Sequence, residues 1–246
     1  MSSRLLSRIG RESLKKKVIP AAETVKFFSN EMSMGWSGFT PAGYPKAVPT
    51  ALADHVEKND IHMQFELFIG ASAGMETEDR WAGLNMIKRR LPYQTGKNIA
   101  KGINDGSIAF ADHHLGMFPQ NMQYGFITKD HDTNRGKLDY AILEATDILP
   151  NGGIVPGTGV GAAPEFAELA EKIIVEINTA IPSLHGLHDL CTLPAPPNRE
   201  SIPVRCVEDR IGHDYISIDP EKIVAIVESD MPDNGRPLAP PDQLSN

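Results

Sequence analysis

Two glutamates, Glu144 and Glu176, lie inside apolar runs, LDYAILEA at residues 138–145 and a second run at residues 173–178. A carboxylate in such a setting is either a nucleophile or base in a low-dielectric site, or a charge held by neighbouring hydroxyls, amides and backbone N–H groups. Thr146 and Asn178 are close enough to serve as partners, and we read both glutamates as structural. Histidines suggest metal chemistry at Asp112, His113 and His114, and again at His185, His188 and Asp189. The i, i+3 spacing of the second set needs a regular helix, which Pro182 and Gly186 oppose. No cysteine pair or H-E-x-x-H completes either set, so structural histidines are the better reading and no metal is expected. The loop GTGVG at residues 157–161 opens a helical pattern, which suggests phosphate binding. Its spacing is not G-x-G-x-x-G, a hairpin precedes it, and no G-x-x-x-x-G-K-[ST] occurs, so a nicotinamide or nucleoside-triphosphate enzyme is a poor reading.

The stretch that organises these residues is WSGFTPAGYPKAVP at residues 36–49. A strand-like run ends at Trp36. Ser37, Gly38, Thr40, Pro41, Gly43 and Pro45 then stop regular structure, Pro49 suits a first helical position, and Ala51, Leu52 and Val56 give the helix an apolar side. In a parallel sheet such a loop opens on the ligand crevice, and the N–H groups of residues 37–43 are expected to point into it. Glycine content alone equally allows a tight connection with no ligand.

The unit then repeats. MQFELFIG at residues 63–70 reads as a strand, residues 71–74 as a small-residue loop, and Trp81, Leu84, Ile87 and Leu91 as one face of a helix. Further strands are expected at residues 107–111, 138–145 and 173–178. Asn151-Gly152 is a hairpin turn joining residues 147–149 to 153–156, and Ala163, Phe166, Ala167 and Ala170 share a helix face. This alternation predicts an α/β fold, a mostly parallel open sheet with helices on both faces. Pro194, Pro196, Pro197 and Pro203 mark an extended passage, residues 216–218 and 223–227 a short strand pair, and residues 231–246 a linker or an end cut short. The domain is therefore expected to span residues 1–230.

Composition sets outer limits. Among 246 residues, 41% are hydrophobic and 23% charged, with net charge −8 and scattered Lys and Arg, which argues against a nucleic-acid partner. No apolar run approaches a membrane span, and two cysteines, Cys191 and Cys206, without a secretory leader point to a reducing, intracellular compartment. The opening MSSRLLSRIGRESLKKK is weakly like a mitochondrial presequence and equally like a surface helix that begins the fold.

WSGFTPAGYPKAVP, GAS at residues 70–72, DHHL at 112–115, VPGTGVG, GLHD at 186–189, VEDRIG at 207–212 and DPEKIVAIV at 219–227 together resemble the amino-terminal half of the acetyl-CoA hydrolases and succinyl-CoA:acetate CoA-transferases, which are class I CoA transferases. The resemblance runs over residues 8–242 and is nearest the fungal acetyl-CoA hydrolase type. It implies a CoA-transferase-like domain of a two-domain enzyme in which a glutamate attacks the acyl-CoA carbonyl. CoA thiolate converts the anhydride to a glutamyl-CoA thioester, and water or a carboxylate completes the transfer. The family's nucleophile and CoA-holding glycine loop belong to the carboxy-terminal half, so no catalytic residue is expected here. The matching substrate-binding residues are Ser72 and Thr95, whose hydroxyls orient a small carboxylate, with Ser37, Gly38 and Phe39 beside them and Arg236 as a carboxylate partner. The implied partners are acetyl-CoA or succinyl-CoA and acetate, a carboxy-terminal catalytic domain, and a second copy in a homodimer. No cofactor is implied beyond coenzyme A thioester as substrate, and the implied compartment is the cytoplasm or mitochondrial matrix. The alternative is a non-catalytic truncated or accessory half that pairs with a separate catalytic domain.

Overall fold

The structure is a computed structural model describing residues 2–132, 135–191, 201–202 and 204–235. Short helices α1 (Ser3–Ser7) and α2 (Glu12–Lys15) and a 3-10 helix (Ala21–Phe27) lead into β1 (Ser33–Trp36) and α3 (Ala47–Asn59). Then follow β2 (Phe65–Ile69), a π-turn (Met75–Asp79) continuing into α4 (Arg80–Gly83), β3 (Ile87–Leu91), α5 (Lys97–Asp105) and β4 (Ala109–Phe110). After α6 (Phe118–Gln123) come β5 (Leu138–Ile148), β6 (Ile154–Pro156), α7 (Ala163–Leu169), β7 (Ala170–Asn178) and β8 (Ile223–Ser229).

The strands form one sheet in the order β4-β3-β2-β1-β5-β7-β8, parallel throughout, with β6 antiparallel on β5. The chain winds outward from β1 to β4, then returns to place β5 on β1's other side. The boundary between β1 and β5 is therefore the topological switch point. Apolar cores cover both faces. One gathers Leu5, Ile9, Leu14, Phe118 and Phe166 against the sheet, the other Val48, Leu52, Trp81 and Ile99. Trp36 and Trp81 meet edge to face in the second core, with ring centroids 4.7 Å apart. The α/β fold with a parallel, doubly covered sheet is as the alternating pattern requires.

The basic opening segment is built into this fold. Ile9 bridges Ile148, Val18 bridges Ile226, and the Arg8 guanidinium reaches Asp147 and the Ile181 carbonyl. The Asn151-Gly152 turn closes the expected hairpin, with the Leu149 N–H donating to the Gly153 carbonyl.

Pro49 is the third residue of α3, which starts at Ala47. Ile87 and Leu91 belong to β3, because Asn85 in the left-handed region ends the chain's helical turn after Gly83. The strand expected at residues 107–111 shortens to Ala109–Phe110 at the sheet edge, and Ala170 opens β7 instead of closing α7. Residues 216–218 and 223–227 do not pair with each other: Ile216 bridges Ile154, while β8 lies parallel on β7. Pro194, Pro196, Pro197 and Pro203 lie outside the described residues.

Candidate functional site

The switch-point crevice is filled by the protein itself. Gly43 has φ +68°, and an added Cβ would fall 2.1 Å from the Gly159 carbonyl oxygen, so the loop after β1 and the GTGVG loop pack backbone to backbone. The glycines of GTGVG serve this close approach. The N–H groups expected to point at a ligand are also engaged: Ser37 donates to the Ile142 carbonyl, Phe39 to Ala42, Ala42 to Thr40, and Gly43 to Asp233 Oδ1. Ser37 is buried, its hydroxyl donating to the Gly43 carbonyl and accepting from the Glu144 N–H.

Glu144 and Glu176 lie side by side on β5 and β7 beneath this loop. Glu176 is fully buried and caps α3, accepting the N–H groups of Lys46 at 2.6 Å, Ala47 at 2.8 Å and Val48 at 3.0 Å. Glu144 meets the buried ammonium of Lys46 at 2.5 Å and the Asn178 amide at 3.0 Å, while its Oε1 packs against Gly157 without a hydrogen-bond partner among the described residues. Lys46 also contacts Asp233 Oδ1 at 2.9 Å and donates to the Tyr44 carbonyl. One cation thus serves two carboxylates. The structural reading of both glutamates is consistent with these partners, although Thr146 serves neither and its hydroxyl accepts from Leu184.

Burial pushes the Glu144 carboxyl up to about 7; Lys46 pulls the other way, and Asp233 and Glu176 add to the rise. A carboxyl raised on folding contributes stability that is full below its unfolded value, near 4.5, and is lost as pH climbs through about 7. The native chain is therefore expected to lose stability relative to Glu144→Gln over that window, by up to about 1.4 kcal/mol per pH unit. Denaturant titrations at several pH values check this, and parallel stability curves for the two proteins would refute it.

The open cavity lies one strand further over, above the carboxyl ends of β1, β2 and β3. It has a volume of about 680 Å³ and is lined by the loops after those strands, with Asn234 and Gly235 from the segment after β8. Ser72 and Thr95 meet here with their hydroxyl oxygens 3.0 Å apart, and among the described residues Lys97 is the one charged side chain in the lining. Of the residues expected at a binding site, the fold brings Ser72 and Thr95 together in the cleft. Ser37 lies beneath the loop, Gly38 packs under Gly161, Phe39 is half-exposed beside the cleft-lining Thr40, and Arg236 falls outside the described residues.

A buried ion pair holds the loop that carries Ser72. Arg90 on β3 binds Glu78 at 2.8 Å and the carbonyls of Ala71 at 2.7 Å and Leu91 at 2.5 Å, while Glu78 Oε1 accepts the Ala73 N–H at 2.6 Å. Asp79 caps α5 through the N–H groups of Asn98 and Ile99. The histidines make local contacts: His188 with the Pro156 carbonyl, His185 with Asp214, and His114 with the Gly116 N–H. Among the described residues no cluster of three or more His, Cys, Asp or Glu is arranged to hold a metal, and no helix is long and apolar enough to cross a membrane.

Residues 3–228 match the family model for the acetyl-CoA hydrolase/transferase N-terminal domain. The chain belongs to this family. It is 52% identical over 248 residues to an acetyl-CoA hydrolase of Schizosaccharomyces pombe, covering 100% of this chain and 47% of that protein. It is 50% identical over 247 residues to an acetyl-CoA hydrolase of Saccharomyces cerevisiae, with the same coverage. The chain thus spans about half the length of the curated relatives it matches. Among solved structures, RipA from Yersinia pestis superposes with TM-score 0.61 at 19% identity, over 94% of this chain and 46% of that one. Glutaconate coenzyme A-transferase from Acidaminococcus fermentans superposes with TM-score 0.55 at 13% identity, over 87% and 76%. These likenesses are of fold, and the second is to a CoA-transferase. Within this acetyl-CoA hydrolase/transferase domain, sequence reading missed Lys46, Glu78, Arg90 and Asp233. Their partners lie up to 187 residues away, as between Lys46 and Asp233, beyond any periodic signal.

Proposed function

We propose that this domain supplies the carboxylate-binding wall of an enzyme that moves CoA between small acyl groups such as acetyl and succinyl, or releases it to water. The observation that carries the reading is the pair of hydroxyls on Ser72 and Thr95, held 3.0 Å apart in a cleft above the strand ends. Two convergent hydroxyls can donate to the two oxygens of one carboxylate, and Lys97 adds a favourable field. In the proposed cycle, a glutamate in the carboxy-terminal half attacks the acyl-CoA carbonyl and expels CoA thiolate. The thiolate then attacks the resulting anhydride to form glutamyl-CoA and release the first carboxylate. A second carboxylate held by Ser72 and Thr95 attacks that thioester, and CoA returns to the new anhydride, freeing the glutamate; water in place of the second carboxylate gives net hydrolysis.

Glu144 and Glu176 have no part in this cycle, since each is committed to buried cations or backbone N–H groups. The cleft's apolar rim, where Met75 and Tyr93 are each nearly half exposed, suits cover by a second domain. The test is to assay the full-length protein for thiol release from acetyl-CoA and for CoA exchange with acetate or succinate, with residues 1–246 assayed alongside. The full-length protein is expected to turn over and the 246-residue chain to show neither activity. Turnover by the chain that is abolished in Glu144→Gln or Glu176→Gln would overturn the proposed division of labour.

A further inference from the structure

Residues 231–235 carry no regular secondary structure, and Pro232, Asn234 and Gly235 are exposed. Polar contacts hold this segment over the sheet. Asn178 donates its side-chain amide to the Met231 carbonyl at 2.8 Å. Asp233 is the central tie: Oδ1 receives the Lys46 ammonium at 2.9 Å and the Gly43 N–H at 3.1 Å, and Oδ2 receives the Thr158 hydroxyl. The backbone of Asn234 adds a hydrogen bond to Tyr44, whose hydroxyl donates to Glu76. One carboxylate therefore joins the loop after β1, the GTGVG loop and the segment after β8. The next two residues, Asn234 and Gly235, line the same cleft as Ser72 and Thr95.

We propose that Asp233 is a positioning residue that, clamped by Lys46, Gly43 and Thr158, sets the part of the cleft wall formed by Asn234 and Gly235. It thereby fixes the space left for the carboxylate. The buried lysine suits this role. Glu144 holds it in place from below, so its charge is presented to Asp233 with little freedom to swing away. The GTGVG loop then acts as an anchor for the strap through Thr158. This proposal rests on the reading of the cleft as a carboxylate site.

Asp233 is a better test position than Lys46, whose removal would strand the Glu144 carboxylate in the core. In the full-length protein, Asp233→Ala and Asp233→Asn would be compared with Ser72→Ala. Amide hydrogen exchange at Gly43 reads the clamp directly, and acetate kinetics read its consequence. Asp233→Ala is expected to speed Gly43 exchange about tenfold or more and to raise the acetate KM about tenfold, with kcat within about twofold. Asp233→Asn keeps the Oδ1 acceptor and should show a smaller change in both. Unchanged Gly43 exchange in Asp233→Ala would overturn the clamp. Faster exchange with unchanged acetate KM, while Ser72→Ala raises that KM, would overturn the positioning role and leave the carboxylate reading standing. If neither variant shifted acetate KM, the carboxylate reading would fail and the positioning role with it.

Discussion

Replacing Arg90 with alanine is expected to destabilise the domain by about 3–5 kcal/mol, because it leaves a buried carboxylate without its cation. Arg90 and Glu78 are both almost wholly buried, and burial pushes the Glu78 carboxyl up even with the guanidinium 2.8 Å away. Removing Arg90 also leaves the carbonyls of Ala71 and Leu91 without its donors. For a domain of this size each kcal/mol corresponds to roughly 2–4 °C, so the melting temperature should fall by roughly 6–20 °C. A second protein separates charge from packing. Arg90→Met combined with Glu78→Met removes both charges and should be less destabilised than Arg90→Ala alone, since no charge is then stranded. Denaturant titration of the three chains decides the matter. A loss of less than about 1 kcal/mol in Arg90→Ala would show that the pair does not hold the 71–74 loop.

The apolar run ending at Trp36, the small residues of 70–74 and the Asn151-Gly152 turn each specify local backbone, and the parallel sheet with its hairpin follows from them. Ser72 and Thr95 sit in loops after successive strands, so the winding of the sheet brings them to one edge. Arg90 was hidden. It stands in IKRRL, where Ile87 and Leu91 match one helix face with Trp81 and Leu84 and leave Arg90 off that face, and in β3 itself the register shift against β2 breaks the alternation that marks an inward residue. Lys46 was hidden for a different reason: just before α3 it resembles an ordinary surface lysine. Its burial is set by Glu144 and Asp233, 98 and 187 residues further along the chain. The loop of residues 37–43 is ambiguous in sequence because a glycine-rich loop at a switch point can meet another backbone as readily as a ligand, and here Gly159 and Gly161 pack against it.

The proposed role of Ser72 and Thr95 predicts an effect on carboxylate use that is separable from folding. A hydroxyl donating to a charged oxygen is worth about 1.5–3 kcal/mol, which corresponds to a loss of roughly 10-fold to 150-fold in specificity for the carboxylate. The hydroxyls bond to each other, Ser72 being buried and Thr95 exposed, so a purely structural role is the competing explanation. The decisive measurement is the acetate dependence of CoA exchange in the full-length protein for Ser72→Ala and Thr95→Val, taken together with their melting temperatures. Loss of acetate specificity in that range, with melting temperatures held, is the predicted result. Lowered melting temperatures with unchanged acetate kinetics in both variants would contradict it and reduce the hydroxyl pair to a loop contact.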